Sequence, residues 1–507
     1  MGLLREDSGL KYSVTGYREL SLRDCGCLRG SSRPYMTHYR QSHEEPSRGR
    51  RTRIGRSAPR TVLCTEYSSA SVPKSPCLIQ QAMPRITQAL QHRNFRLFFG
   101  GQSVSLVGTW ITRVATSWLV YRLTGSLVLL GVVGFCGQIL TLVLAPFAGV
   151  LVDRGDRQRI LVITQVLSML QSFALAALVF THTITVPLIL VLQAFQGIIN
   201  AFDTPARQAF VVEMVEDRAH LANAIALNSS MVNASRIIGP SIGGIIISLV
   251  GEGWCFLADG ISYIAVIMSL FAMVVQPRTL PTSNASVGED LLTGFRYVAS
   301  FLPVRTSLIL LASVSILGMP YTVLMPAIAT RILHGGPNTL GFLMTASGVG
   351  ALAGALYLAT RHSVVGLGRA MIWSTGSFGL GLIAFSLSHT LWLSLLILPF
   401  VGGGMMVTMA ASNTIIQTIV TEELRGRVMS FYAMAFLGTA PIGSLIAGVA
   451  ADRIGEANTI LIGGLCCLVT MGWFAFRLPS MRAIVRPIYV ERGIVAASEI
   501  EAGVKAL

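Results

Sequence analysis

The chain has 507 residues, 52% hydrophobic and only 12% charged, with a formal net charge of +15 and a mean hydropathy of +0.63. A soluble domain carries about 25% charged residues, so this composition excludes an ordinary soluble enzyme and points to a polytopic membrane protein. The basic excess does not call for nucleic acid: Lys11, Lys74 and Lys505 are the only lysines, and the arginines gather in the first 82 residues or between apolar segments, where they set topology.

Residues 1–82 read as a disordered basic tail. They are rich in Arg, Ser and Pro, carry 14 basic against 7 acidic residues, and show too little apolar periodicity to bury a core. No apolar h-region marks a signal peptide, Glu6 and Asp7 argue against a mitochondrial presequence, and MGLLRE lacks the Ser or Thr of a myristoylation signal. Met83 reads as the true initiator, because MPRITQALQHRNFRLFF is a short basic lead into a first membrane helix. Cys25, Cys27, Cys64 and Cys77 lie in the polar stretch, and Cys136, Cys255, Cys466 and Cys467 in apolar segments. None has zinc-ligand spacing, so free thiols are expected, with no metal and no cofactor.

From about residue 95 the chain becomes apolar runs of membrane-spanning length, about 20 residues each. Twelve are expected, near 96–121, 128–150, 159–181, 186–206, 221–250, 254–275, 305–330, 338–360, 368–388, 391–415, 427–450 and 456–476. The polar segment 277–304 splits them into an N-terminal six-helix bundle over 83–276 and a C-terminal one over 305–477, followed by a tail over 478–507. Even-numbered connections carry Arg154, Arg157, Arg159, Arg207, Arg218, Arg278, Arg296, Arg305, Arg361, Arg369, Arg425 and Arg427, whereas odd-numbered ones carry Arg122, Arg331 and Arg453. That bias places both termini, the 277–304 linker and the final tail in the cytoplasm.

The halves echo each other. RIIGPSIGG in the fifth run resembles GTAPIGSLIAG in the eleventh, with Pro240 and Pro441 201 residues apart. PFAGVLVDR after the second run resembles ALAGALYLATR after the eighth. A repeat near two hundred residues is the trace of two bundles related by an axis along the membrane normal.

Polar residues inside spans are costly and face a cavity or a partner helix. Here they fall at helical spacing: Thr109, Thr112, Arg113, Thr116 and Ser117 in the first run, and Gln193, Gln196, Asn200, Asp203 and Arg207 in the fourth. The fifth run adds Asn233 and Arg236, and the tenth Asn413 and Gln417. A single amide reads as glue between helices; the five-member stripe reads as a water-accessible wall. Arg113 and Arg236 lie about 22 Å along their helices, too deep to snorkel. Each meets an anionic ligand or an acid, or is held by backbone carbonyls or Asn233. Asp259, near the outer end of the sixth run, is the one clear acid away from the cytoplasmic ends and a candidate proton carrier. Gly239, Pro240, Gly243, Gly244 and Pro441 allow a hinge or, equally, close helix packing.

These residues resemble the major facilitator superfamily over roughly 83–480. Gly149-x-x-x-Asp153-Arg154-x-x-Arg157, in the charged hairpin GVLVDRGDRQRIL, is similar to its cytoplasmic motif between helices 2 and 3. Gly239-Pro240-x-x-Gly243-Gly244 is similar to the helix 5 signature of drug–proton antiporters. GTWITRVATSWLVYRLTGS, AFDTPARQAFVVEMV and ELRGRVMSFYAMAFLGTAPIGSLIAG resemble the enterobactin-exporter type, the transmembrane secretion effectors. The resemblance implies that Asp153 packs at the start of helix 11 near Arg427. It implies that Arg157 reaches Asp203, and that these two with Asp153 and Arg207 form a cytoplasmic latch. Asp156 departs from the Gly usual in the motif, and the second-half copy keeps Gly354 and Arg361 but lacks the Asp.

The expected function is therefore export of a siderophore, metabolite or drug by alternating access, driven by proton antiport, from a monomer in the inner (plasma) membrane. Its partners are a small-molecule substrate, protons and the lipid bilayer, and no nucleic acid. The two deep arginines favour an anionic substrate. An importer or lipid flippase on the same fold is the alternative. A membrane enzyme is disfavoured because no HExxH, GxSxG or P-loop appears.

Overall fold

The structure is a computed structural model that describes residues 88–215, 218–274, 287–361 and 363–494. The basic tail over 1–82, initiation at Met83, Arg278 and the last residues of the C-terminal tail lie outside the described residues. A short 3-10 turn, Gln88–Gln91, leads into α1 (Arg93–Thr124), α2 (Leu127–Arg154), α3 (Arg157–Phe180), α4 (Val186–Glu213), α5 (Arg218–Val250) and α6 (Glu252–Phe271). After α7 (Val287–Ser300) come α8 (Leu302–Ile332), α9 (Pro337–Ala359), α10 (Leu367–Ser386), α11 (Leu391–Ile419), α12 (Glu422–Ile454) and α13 (Glu456–Glu491). Among the described residues ten helices are long and apolar enough to cross a membrane; α1 and α10 have comparable length but a more polar composition. The chain is thus a nearly all-helical, multi-pass membrane protein.

Local chemistry sets the helix ends. The Gly125 amide closes α1 on the Tyr121 carbonyl, and the Ser126 side chain caps α2 by accepting from the Leu129 amide. Asp156 caps α3 in the same way, at 3.1 Å from the Arg159 amide. That explains the departure from Gly: a carboxylate at a helix N-terminus satisfies an orphan donor and suits the macrodipole. Single residues join α5 to α6 and α12 to α13. Gly251 and Gly455 do so at φ +94° and +86°, a conformation that L side chains rarely adopt.

Two boundaries differ from expectation. The last helix continues to Glu491, well into the stretch read as a tail from 478. Within the 277–304 linker, Val287–Ser300 forms a helix that packs on the start of α12, with the Phe295 and Phe431 rings 6.2 Å apart.

Helices α1–α6 pack among themselves, as do α8–α13, and the two groups meet along α2 with α12 and α5 with α9. Both seams lie away from the end that carries the helix termini Arg93 and Glu491. There Gly131 faces the Ser444 carbonyl and Gly448, while Gly244 faces Pro337–Gly341 and Gly341 faces the Pro240 carbonyl. The buried core has the same shape. One cluster at the far end joins both groups, from Ile111, Val114 and Leu127 to Tyr321, Leu324 and Met405. At the near end it divides into two, one around Phe95, Leu161 and Phe210 and one around Leu308, Ile415 and Phe474. The molecule is sealed at the far end and parted at the near end.

The glycines are the reason the seal can form. A Cβ on Gly341 would stand 2.5 Å from the Pro240 carbonyl oxygen, whereas one on Gly100 would meet nothing within 4 Å. Gly341→Ala is expected to lower stability by about 1–3 kcal/mol and Gly100→Ala by none, as read by thermal unfolding in detergent.

Candidate functional site

The charged hairpin between α2 and α3 lies at the parted end. Arg154, exposed, is the last residue of α2. Arg157, 9% exposed, donates to Asp153 at 3.0 Å, to Glu213 at 2.7 Å and to the Ala209 carbonyl. This corrects the expected pairing: the acid that Arg157 meets on α4 is Glu213, not Asp203. The two acids are about 15 Å apart along the helix, and spacing alone does not say which turn of α4 the hairpin reaches. Asp153 is 70% exposed, and the partner the structure gives it is Arg157. A Cβ on Gly149 would meet nothing within 4 Å.

The α4 stripe turns inward. Gln193 donates to Thr116 at 3.5 Å, and Gln196 to Ser168 at 3.3 Å and Asn200 at 3.2 Å. Asp203 accepts from Gln165 at 2.7 Å, Thr164 at 3.2 Å and Arg207 at 2.8 Å. Rather than the water-accessible wall expected from its length, the stripe is committed to α1 and α3 inside the first group. Partner hydroxyls and amides are the economical way to keep such groups in an apolar layer. Asn233 bonds its own helix at the Ser229 carbonyl, and Gln417 donates to Asn413 at 2.6 Å.

The arginines converge instead. Arg113 of α1 and Arg236 of α5 both lie over the Trp110 indole, at 4.5 and 5.7 Å from its centroid. Neither has an ion pair or side-chain hydrogen bond among the described residues. Arg113 is exposed and Arg236 half-buried. Tyr321 of α8 lies within electrostatic reach of Arg236 and shares a 2.7 Å hydrogen bond with Ser347 of α9. The cluster therefore sits where the two groups meet, beneath the seal. Two guanidiniums attracted to one indole gain about 0.5–2 kcal/mol each, but they also repel one another, so the centre favours an anion. Sequence reading missed Trp110 and Tyr321, because aromatic residues in apolar runs read as core.

The expected hinge divides. α5 is helical without interruption through Pro240, and its glycines serve packing: Gly239 against Trp110, Gly243 against Ile111 and Gly244 against α9. Pro441, by contrast, follows a π-turn at Met434–Gly438, where the chain leaves regular α geometry. Asp259 is buried between α1, α3 and α6, with Oδ2 accepting from Thr112 at 2.9 Å and Ser172 at 2.7 Å.

The far end carries a charged corner that sequence reading also missed. Arg122 donates to Glu252 at 2.7 Å, tying α1 to α6. Arg331 lies 3.7 Å from Glu456, stacks on Tyr121 at 5.7 Å and donates to the Gly125 carbonyl at 2.8 Å. The pairs are copies: Arg122 and Arg331 are 209 residues apart, Glu252 and Glu456 204. Counting arginines for topology hid them; aligning the repeat would have found them. The second copy alone crosses between groups.

Comparison with known proteins identifies the family and the fold. A model of the transmembrane secretion effector family matches residues 87–492. The chain belongs to that family. The staphyloferrin A transporter of Staphylococcus aureus is 27% identical to this chain, covering 75% of it and 96% of the relative. Multidrug efflux pump Tap of Mycolicibacterium fortuitum is 27% identical over 74% and 93% of the two chains. Macrolide efflux protein A of Streptococcus pyogenes is 24% identical over 74% and 94%. Among solved structures, a POT family transporter aligns at TM-score 0.62 with 13% identity over 79% of this chain and 99% of its own. A bacterial homologue of the human lysosomal transporter Spinster, inward-facing and unoccupied, aligns at 0.58 with 12% identity over 77% and 96%. These are major facilitator folds, and the family and its relatives are transporters rather than enzymes.

Because Arg331 bridges the two groups and Arg122 does not, their variants should differ. Arg331→Ala is expected to raise the labelling rate of a cysteine placed at Ser126 by a thiol reagent added from the far side. Arg122→Ala should lower thermal stability and leave that labelling unchanged.

Proposed function

We propose that this protein exports small anionic molecules by alternating access, driven by proton antiport. The observation that carries the reading is the Arg113–Trp110–Arg236 centre. Two guanidiniums, without an acid partner among the described residues, share one indole at the junction of the halves. A planar fork of donors beside an aromatic face suits carboxylates, phenolates and other acidic groups on an organic frame. The excess of arginines at the termini-bearing end supports a cytoplasmic position for that end, so the conformation described is inward-open, ready to load from the cell interior. The membrane is then the inner (plasma) membrane, the chain acts as a monomer, and siderophores and other acidic secreted metabolites are the expected cargo. The staphyloferrin A transporter relative supports a siderophore cargo, and the multidrug efflux pump supports export.

The near-end hairpin acts in the other half of the cycle. When the near ends close, Asp153 is carried to the start of α12, where a helix N-terminus favours a carboxylate. In the open state Arg157 and Glu213 hold the hairpin ready. The helix turn before Pro441 absorbs the movement of α12.

The test uses the full chain in proteoliposomes loaded with carboxyfluorescein as the anionic probe and ethidium as the cationic one. A proton gradient should drive the anion selectively. Arg113→Gln and Arg236→Gln should each weaken its apparent affinity about tenfold to a hundredfold, with Arg→Lys variants intermediate. Preference for the cation, or variants that fold and transport normally, would overturn the anionic reading. Asp153→Asn should leave yield and probe binding intact and slow turnover; an unchanged rate would remove the hairpin from the cycle.

A further inference from the structure

The membrane-embedded acid of the first half has a setting unlike any other carboxylate in the described structure. Among the described residues the other buried carboxylate within a span, Asp203, is paired with Arg207, whereas Asp259 is 1% exposed and no cation among them lies within ion-pair distance of it. Oδ2 takes two hydrogen bonds from hydroxyls, Thr112 on α1 and Ser172 on α3. Oδ1 is buried and has no hydrogen-bond partner. It faces the α1 backbone, so close that a Cβ on Gly108 would stand 2.7 Å from it. The titratable neighbours are Tyr263 and Cys255, both on its own helix. From α1 it meets Thr112, with Arg113 turned away to Trp110, and from α3 Ser172. Cys255 is turned to the Gly243 carbonyl of α5. A lone carboxylate in an apolar layer is stable when neutral, and the free Oδ1 is where its proton would sit.

A polar track leads from it toward the near end. One turn along α6, the Tyr263 hydroxyl lies against Thr109 and Ser168. Ser168 accepts from Gln196, Gln196 donates to Asn200, and one turn further Asp203 is held by Thr164, Gln165 and Arg207. The α4 stripe that failed as a cavity wall thus fits as the side of a proton path. Gln165 and Gln196 each keep a buried oxygen without a partner along it.

We propose that Asp259 is the proton-binding site of the antiport cycle, reached along this track and coupled to substrate through α1. The inference rests on the transport reading above. α1 has two working flanks. One carries Gly108 and Thr112 against Asp259; the other carries Trp110 against Gly239 of α5, with Arg113 over the indole. The ionised carboxylate holds Thr112 as an acceptor. Taking up one proton at Oδ1 neutralises it and weakens that hold, so α1 re-seats against α6 and moves Trp110 and Arg113 relative to Arg236. A proton and an anion are thereby bound on opposite sides of one helix, each sensing the other through its position.

Two measurements on the full chain in nanodiscs test the proposal. Infrared difference spectra between mildly acidic and mildly alkaline pH should show a protonated-carboxyl band that shifts in Asp259→Glu and vanishes in Asp259→Asn. A band that survives Asp259→Asn, or none in the unmutated chain, would overturn the assignment. Spin labels at Arg159→Cys and Gly426→Cys should report a pH-dependent distance between the near ends. That dependence should be lost in Asp259→Asn and reduced in Thr112→Val; a full response in both variants would overturn the coupling. In proteoliposomes, Asp259→Asn should still pass carboxyfluorescein down its own gradient and no longer respond to pH. Retained proton-driven flux in Asp259→Asn would overturn this site alone. No flux of either probe in the unmutated chain would instead overturn the transport reading, with the infrared result standing on its own.

Discussion

A charged group inside an apolar layer must be satisfied by the protein itself, because neither lipid nor bulk water is there to do it. This constraint organises the chain. Arg122 and Arg331 solve it at the far end with Glu252 and Glu456, Asp203 with Arg207 and two uncharged donors, and Asp259 with hydroxyls from two neighbouring helices. Arg113 and Arg236 solve it incompletely, on one indole and beside each other. The incomplete solution is the one the proposed function rests on, since it leaves a demand for negative charge that an anionic ligand would meet.

The second organising feature is the unequal packing of the two ends. Glycine faces backbone along both seams, so the far halves approach closely and a single buried core forms across them. At the near end the larger side chains Phe95, Phe210, Ile415 and Phe474 pack within their own group, and the core divides. A molecule that can exchange which end is sealed needs seams of this kind, in which contact is mostly van der Waals and little polar bonding must be broken. The Arg331 bond to Gly125 and the Ser241–Thr345 bond at 2.7 Å are among the few polar ties across them.

Much of the fold was legible because it is written in one dimension. Apolar run length gives helices, and the spacing of Pro240 and Pro441 gives the repeat. What was lost needed the third dimension. The period of Gln193, Gln196, Asn200 and Asp203 defines a helix face but not the neighbour that covers it, so the stripe was assigned to the cavity when it faces α1 and α3. Arg157 was matched to the acid suggested by resemblance, and the hairpin reaches Glu213 instead. Arg113 and Arg236 were recognised as misplaced in their helices, yet their common partner Trp110 has no signature apart from its size. Asp259 stood out by rarity alone; that it is bonded to Thr112, the neighbour of Arg113, is visible only in the folded chain.

The central claim is that acidic small molecules leave the cell through the Arg113–Arg236 centre. The most direct measurement is comparative metabolite profiling of cells and spent medium from wild type, a deletion strain, and the deletion complemented with wild type or with Arg236→Gln. The account predicts a compound bearing acidic groups that is retained in deletion and Arg236→Gln cells and restored to the medium by wild type. A retained compound that is cationic or neutral, or medium that is the same in every strain including under iron limitation, would contradict it.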